Sequence, residues 1–208
     1  MAEEQIATEE EPQQEERREL DPETRARREA ALRHVRQYGD PVLRSRALPV
    51  EVFDAALADE VRRMATLMDE ALGIGLAATQ LGNMHRLLVY RVEPDGPLGV
   101  LVNPDIEFRG DETETMEEGC LSLPGVSVEV ERPVQIRVRA QDEQGAPLLL
   151  EASGLEARVI QHEVDHLDGV LILDRTTRDQ RKQAMRAMRE AQAGGSGEAT
   201  DSASAVSA

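Results

Sequence analysis

Two histidines four residues apart, with a glutamate following the first, form the run Gln161-His162-Glu163-Val164-Asp165-His166-Leu167. On a helix, residues at that spacing share a face, so His162 and His166 project together. Two imidazoles so placed bind one metal ion, and the glutamate between them is positioned to act as a general base. The whole chain holds 4 histidines. That two of them fall at ligand spacing around a glutamate favours a metal-binding helix over a chance surface pair. A catalytic ion takes three protein ligands and keeps one position open for water. The residue types leave Cys120, His34, His85, Asp168 and Asp174 as candidates for the third ligand.

Cys120 sits in Glu117-Glu118-Gly119-Cys120-Leu121-Ser122-Leu123-Pro124-Gly125. Gly119 allows close backbone approach and Pro124 fixes the exit from the stretch. As the single cysteine it has no partner for an intrachain disulfide, and such a residue is ordinarily a small buried hydrophobe. Beside a metal it becomes a thiolate donor instead.

These residues need elements to hold them. Leu155, Val159, Ile160, Val164 and Leu167 give the motif segment an apolar face. The spacing predicts a helix from Ser153 or Gly154 to Asp168-Gly169. A second helix is expected over Phe53 to Leu72, from Leu57, Val61, Met64, Leu67, Met68 and Leu72 at steps of three and four. Gly73 is expected to end it as the left-handed residue, and Gly73 to Gln80 then forms a compact loop of small residues. Strands are expected at Leu87–Tyr90, Gly99–Val102, Ile106–Phe108, Val126–Val130, Val134–Ala140 and Leu148–Leu150. Val170–Leu173 is expected to be extended, and a last helix runs from a capping box at Thr176 to about Glu190. Strands precede the motif helix with too few helices between them for βαβ units. The fold class is therefore α+β, with antiparallel sheets packed around the central motif helix, one helix in the N-terminal half and one at the C-terminus.

Composition narrows the function classes. The 208 residues carry a net charge of −17, which disfavours DNA or wholesale nucleic-acid binding. Two Tyr, two Phe and no Trp leave no aromatic platform for stacking bases. No apolar run reaches membrane length and no secretory h-region opens the chain, so a reducing cytoplasm is the expected compartment. Residues 1–31 are acidic and poor in large aliphatics, and are expected to be a mostly disordered extension, with Glu23–Leu32 able to form a solvated helix. A catalytic domain is expected over 32–190 and a disordered Gly/Ala/Ser tail over 191–208. Oligomeric state is not readable.

Three stretches in this order, Gly73-Ile74-Gly75-Leu76-Ala77-Ala78-Thr79-Gln80, Glu118-Gly119-Cys120-Leu121-Ser122 and Gln161 to Gly169, make the chain resemble the bacterial peptide deformylases. The opening from His34 to Arg44 is similar too, and the likeness covers about 34–190. The resemblance implies a metal-dependent hydrolase that takes the formyl group from the N-terminal formyl-methionine of new polypeptides and releases formate. It implies that Cys120, His162 and His166 hold the metal, that Glu163 is the acid/base, and that Gln80 with the Leu121 backbone N–H binds the oxyanion. Gly75 would lie beside the substrate peptide. Glu118 and Arg132 match positions that pair behind the Cys120 stretch. Ile74, Leu121, Leu155 and Val159 are expected to form the methionine pocket, with Arg158 either lining the groove or solvated. One thiolate and two imidazoles suit Zn²⁺ by ligand type; the resemblance implies Fe²⁺, with Zn²⁺ or Ni²⁺ as alternatives. An ordinary HExxH metallopeptidase recruits a downstream third ligand, which an upstream Glu-Gly-Cys-Leu-Ser argues against. A closed structural metal site would need a fourth protein ligand, and none is evident near the motifs.

From Arg175 to Arg189, six cations (Arg175, Arg178, Arg181, Lys182, Arg186 and Arg189) face a single acid, Asp179. The resemblance implies docking of this basic helix to ribosomal RNA, where formylated chains emerge.

Overall fold

The computed structural model describes residues 20–194. A five-stranded antiparallel sheet forms from β1 (Gly75–Ala77), β2 (Leu87–Tyr90), β3 (Gly99–Arg109), β6 (Gln135–Gln141) and β7 (Pro147–Ser153), in the order β1-β2-β3-β6-β7. A separate hairpin pairs β4 (Thr113–Cys120) with β5 (Leu123–Pro133). The helices are α1 (Pro22–Leu32), α2 (Ala55–Glu70), α3 (Gly154–Leu167), the single turn α4 (Ile172–Arg175) and α5 (Arg178–Gly194). The α+β expectation is met. The motif helix α3 lies against the large sheet, where Ile160, Val164 and Leu167 share one core with Leu88, Leu101, Ile136 and Val138. The opposite core joins α2 to the sheet through Val61, Met64, Met68, Leu87, Val89 and Val102.

The two strands expected at 99–102 and 106–108 are one strand, β3, interrupted by register shifts. At the first shift Asn103 adopts a φ of 53°. Its side chain binds the Val50 N–H and C=O and the Gln141 side chain, which holds the irregularity in place. Asp54 caps α2 by accepting from the Ala56 and Leu57 N–H groups. The exit from α2 differs from expectation. Leu72, with a φ of 59°, is the left-handed residue, and Gly73 follows it, donating its N–H to Met68 O. A Cβ at Gly73 would lie 3.0 Å from Leu121 Cδ1, so a side chain there would press on that leucine.

Val170–Leu173 is not a strand. Leu171, Ile172 and Leu173 are buried against the hairpin, and Asp174 accepts from the Leu171 N–H to start the turn α4. β4 went unexpected because seven of its eight residues are not buried. It has no apolar alternation to read, and backbone pairing with β5 holds it. At the N-terminus, the stretch expected to be mostly disordered includes α1, whose Ala31 is buried against α2 residues. Residues 1–19 and 195–208 lie outside the described residues, and α5 runs past 190 to Gly194.

Candidate metal centre

Three elements from different parts of the fold converge here. Cys120 ends β4, His162 and His166 come from α3, and Gln80 comes from the short turn Ala78–Leu81 after β1. The chain's opening segment ties them together. Arg36 N–H donates to Gln80 O at 2.7 Å, Tyr38 N–H to Ser122 O at 2.9 Å, and the Gln37 amide to Leu121 O at 3.3 Å. Thr79 Oγ1 donates to His166 O, fastening the same turn to α3.

The ligand atoms of Cys120, His162 and His166 all lie within 4.8 Å of one another. Cys120 Sγ is 3.2 Å from His166 Nε2, and the two imidazole centroids are 5.0 Å apart. A carboxylate can only accept, so His162 Nδ1 donates to Glu118 Oε2, at 3.0 Å, and leaves Nε2 as a lone-pair donor. The residues present fit a divalent transition metal: one sulfur and two imidazole nitrogens converge, and buried Glu163 Oε2 has no hydrogen-bond partner among the described residues. Burial, helped by the charges of His162 and Arg132, keeps His166 well below its ordinary pKa, in the neutral form a metal requires. Burial pulls His162 the same way, but hydrogen bonds to Cys120 and Glu118 outweigh it and raise its pKa. The other third-ligand candidates go elsewhere. His85 pairs with Glu60, Asp168 with Arg86, and Asp174 with Arg44, while His34 lines a separate surface cleft.

Glu118 is the hub behind the ligands. Arg132 binds it through two hydrogen bonds of 2.6 and 2.9 Å, and Arg158 binds it at 2.7 Å. Burial pushes its carboxyl up, but the hydrogen bonds and charges of His162 and Arg132 outweigh this and hold it down at about 2. Arg158 is thus buried and also held by the carbonyls of Val130 and Glu114, rather than solvated. Arg132 continues to Asp165 at 2.9 Å, and Asp165 in turn binds Arg175 at 2.5 Å. Sequence reading missed Asp165 and Arg175. The one available signal was an acid on α3 three residues after His162, on a turn otherwise given to ligands and core.

Burial pushes the Glu163 carboxyl up to about 7, against the pull of His162 and Arg132. Gly75 packs directly on it: a Cβ at Gly75 would stand 2.4 Å from Glu163 Oε1 and 2.9 Å from Val159 Cγ1. The Gln80 amide has a fixed orientation. Its Oε1 accepts from the Ala77 N–H at 2.9 Å, so Nε2 points at Cys120 Sγ, 3.9 Å away, and Ser122 Oγ, 3.3 Å away. The Leu121 N–H has no acceptor among the described residues. Gly75, Gln80, Cys120, Leu121, His162 and Glu163 all line one groove of about 500 Å³. Ile74, Leu155 and Val159 line it too, so every sequence-expected pocket residue is brought to the same cavity.

The family model for polypeptide deformylase matches residues 32–182. Among curated relatives, peptide deformylase of Acidothermus cellulolyticus is 48% identical over 162 residues, covering 78% of this chain and 88% of that protein. Peptide deformylase 1 of Corynebacterium efficiens is 49% identical over 160 residues, covering 76% and 95%. Among solved structures, the Synechococcus elongatus peptide deformylase in complex with actinonin superimposes with a TM-score of 0.71 at 43% identity, covering 74% of this chain and 85% of that one. The Thermotoga maritima peptide deformylase gives 0.67 at 45% identity, covering 69% and 96%.

Proposed function

The chain belongs to the polypeptide deformylase family, and on that premise we propose how its own residues divide the reaction. The reaction is the metal-dependent hydrolytic removal of the N-formyl group from nascent polypeptides. Cys120, His162 and His166 hold the ion. When bound, a divalent ion here supplies Lewis acidity that lets a water lose its proton near neutral pH. Glu163, poised near neutrality by burial, receives that proton and delivers it to the departing amine nitrogen. The Gln80 Nε2–H and Leu121 N–H donate to the formyl oxygen as it gains charge, two neutral donors set before the substrate arrives. Ile74, Leu121, Leu155 and Val159 take the methionine side chain, and Gly75 lets the peptide run close past Glu163. Formate and a free N-terminus leave.

The observation that carries this assignment is the shared groove: Gln80, Cys120, His162 and Glu163 line one cavity with an apolar flank. The test is formate release from a formyl-methionyl peptide. Glu163→Ala is expected to abolish turnover while the protein keeps its metal; retained turnover overturns the mechanism.

The physiological ion is Fe²⁺ on this reading, with Zn²⁺ or Ni²⁺ as substitutes. Metal analysis of anaerobically purified, active protein decides among them. No helix among the described residues is long and apolar enough to cross a membrane, and the proposed place of work is the cytoplasm. The proposed catalytic domain is 32–190. Docking to ribosomal RNA belongs to α5 alone. Arg175, which the sequence grouped with the basic helix, is committed to Asp165. Arg178, Lys182, Arg186 and Arg189 recur at steps of four, four and three and so share a helix face. Arg178→Glu with Lys182→Glu is expected to weaken cosedimentation with ribosomes at low salt; unchanged binding sinks the docking proposal. Truncation before Arg175 is a poorer test because it also removes one of the two arginines that bind Asp165.

A further inference from the structure

The groove has a wall that the formyl chemistry does not use. Arg28 and Leu32 of α1 line it beside Leu72, Gly73 and Ile74. Arg28 is half-buried, and its Nε donates to Ala71 O at 3.3 Å, which fixes the guanidinium at the C-terminal end of α2. Among the described residues no carboxylate pairs with it, and its remaining N–H groups are open to a ligand. The other arginine of the groove, Arg158, is buried and bound to Glu118.

The position of Arg28 along the groove follows from the chain. Gly75 packs on Glu163, at the reacting end. From Gly75 the backbone leads back through Ile74, Gly73 and Leu72 to Ala71, four residues away. Ile74, assigned to the methionine side chain, lies on this wall between Gly75 and the Ala71 carbonyl that anchors Arg28, so a substrate with its formyl end at Glu163 meets Arg28 after its methionine. In a chain of net charge −17, a guanidinium paired with no carboxylate among the described residues favours an anion at that place.

Resting on the deformylase reading, we propose that Arg28 is a specificity-determining residue that favours nascent peptides with aspartate or glutamate at the second or third position. Arg28 precedes residue 32, where the family match begins, so this preference resides in the chain's N-terminal extension and not in the matched core.

The test uses the full-length enzyme and C-terminally amidated peptides, so that a side chain supplies the only carboxylate. The probes are formyl-Met-Glu-Ala, formyl-Met-Ala-Glu, formyl-Met-Ala-Ala and formyl-Met-Ala-Lys amides. Arg28→Ala is expected to raise KM about 3–5-fold for at least one glutamate peptide, the strength of an accessible ion pair, with kcat and the all-alanine peptide unchanged. Arg28→Glu is expected to reverse the order, so that the lysine peptide is preferred. Equal losses on all four peptides, or no wild-type preference for glutamate at either position, overturn the proposal. Formate release from the all-alanine peptide separates the two readings. If it persists while the preference is absent, only the role of Arg28 falls; if wild type releases no formate from any peptide, the deformylase assignment falls with it.

Discussion

His162 Nδ1 donates to Glu118 Oε2 at 3.0 Å, joining a residue of α3 to one of the β4–β5 hairpin directly behind the proposed metal position. This bond fixes the imidazole tautomer and aims Nε2 forward. Glu118→Gln keeps the shape but loses the anion that makes the imidazole a better donor. Metal affinity is expected to fall about 10–100-fold, read by competition with a chromophoric chelator. Unchanged affinity would show that Glu118 serves only the fold.

Gln80 offers a donor because its Oε1 is already occupied by the Ala77 N–H. Gln80→Leu removes the donor at similar volume. A loss of about 10²–10³-fold in kcat is expected, with metal content intact. A change confined to KM would assign Gln80 to ground-state binding instead.

Gly75→Ala places a methyl where Glu163 Oε1 and Val159 Cγ1 stand, at 2.4 and 2.9 Å. Either the carboxylate or the backbone must shift. Since small misplacements cost about 10²-fold in well-organised sites, activity is expected to drop by at least that factor while the metal remains. Near-normal activity would mean that the groove is looser than its geometry indicates.

The two carboxylates on either side of His162 carry opposite pH signatures. The folded state holds Glu118 at about 2, below its ordinary 4.5. Its contribution is therefore complete above pH 4.5 and lost as pH falls through about 2, on the order of 3 kcal/mol for a shift of this size. Glu163 is held up at about 7, so the folded state loses stability as pH rises from 4.5 through 7. In metal-stripped protein, urea unfolding should show Glu118→Gln less stable than wild type at pH 6 and converging with it toward pH 2. Glu163→Gln should match wild type near pH 4 and exceed it above pH 7. Parallel stability curves for either pair contradict the assigned environments.

The motif helix and its apolar face were legible from a local period of 3.6, whereas the grouping of Gln80 and Cys120 with the histidines was legible through the resemblance of three short runs to a known family. The proposal of Cys120 as third ligand came through family resemblance; the residue types alone left His34, His85 and two aspartates open, and the structure brings Cys120, not these, beside the two histidines. What stayed hidden depends on partners far apart in sequence. β4 is held by pairing, with few buried side chains. The chain of pairs from Glu118 through Arg132 and Asp165 to Arg175 spans four elements. The left-handed residue after α2 is Leu72, and the glycine beside it packs close to Leu121, a contact 48 residues away in sequence. A solvated α1 was foreseen, but not its place on the groove wall.

The ligand set straddles a seam. Cys120 belongs to the two-stranded hairpin and both histidines to the helix seated on the five-stranded sheet. An ion shared by these side chains would clasp two bodies whose tethering points are 42 residues apart in sequence. It would therefore act as a cross-link as well as a reagent, restricting the open ensemble as any loop closure does. The reaction geometry is then set by how one slab of the protein rests on another. A substitution far out on the hairpin that lets it slide would be felt first as a loosened grip on the metal.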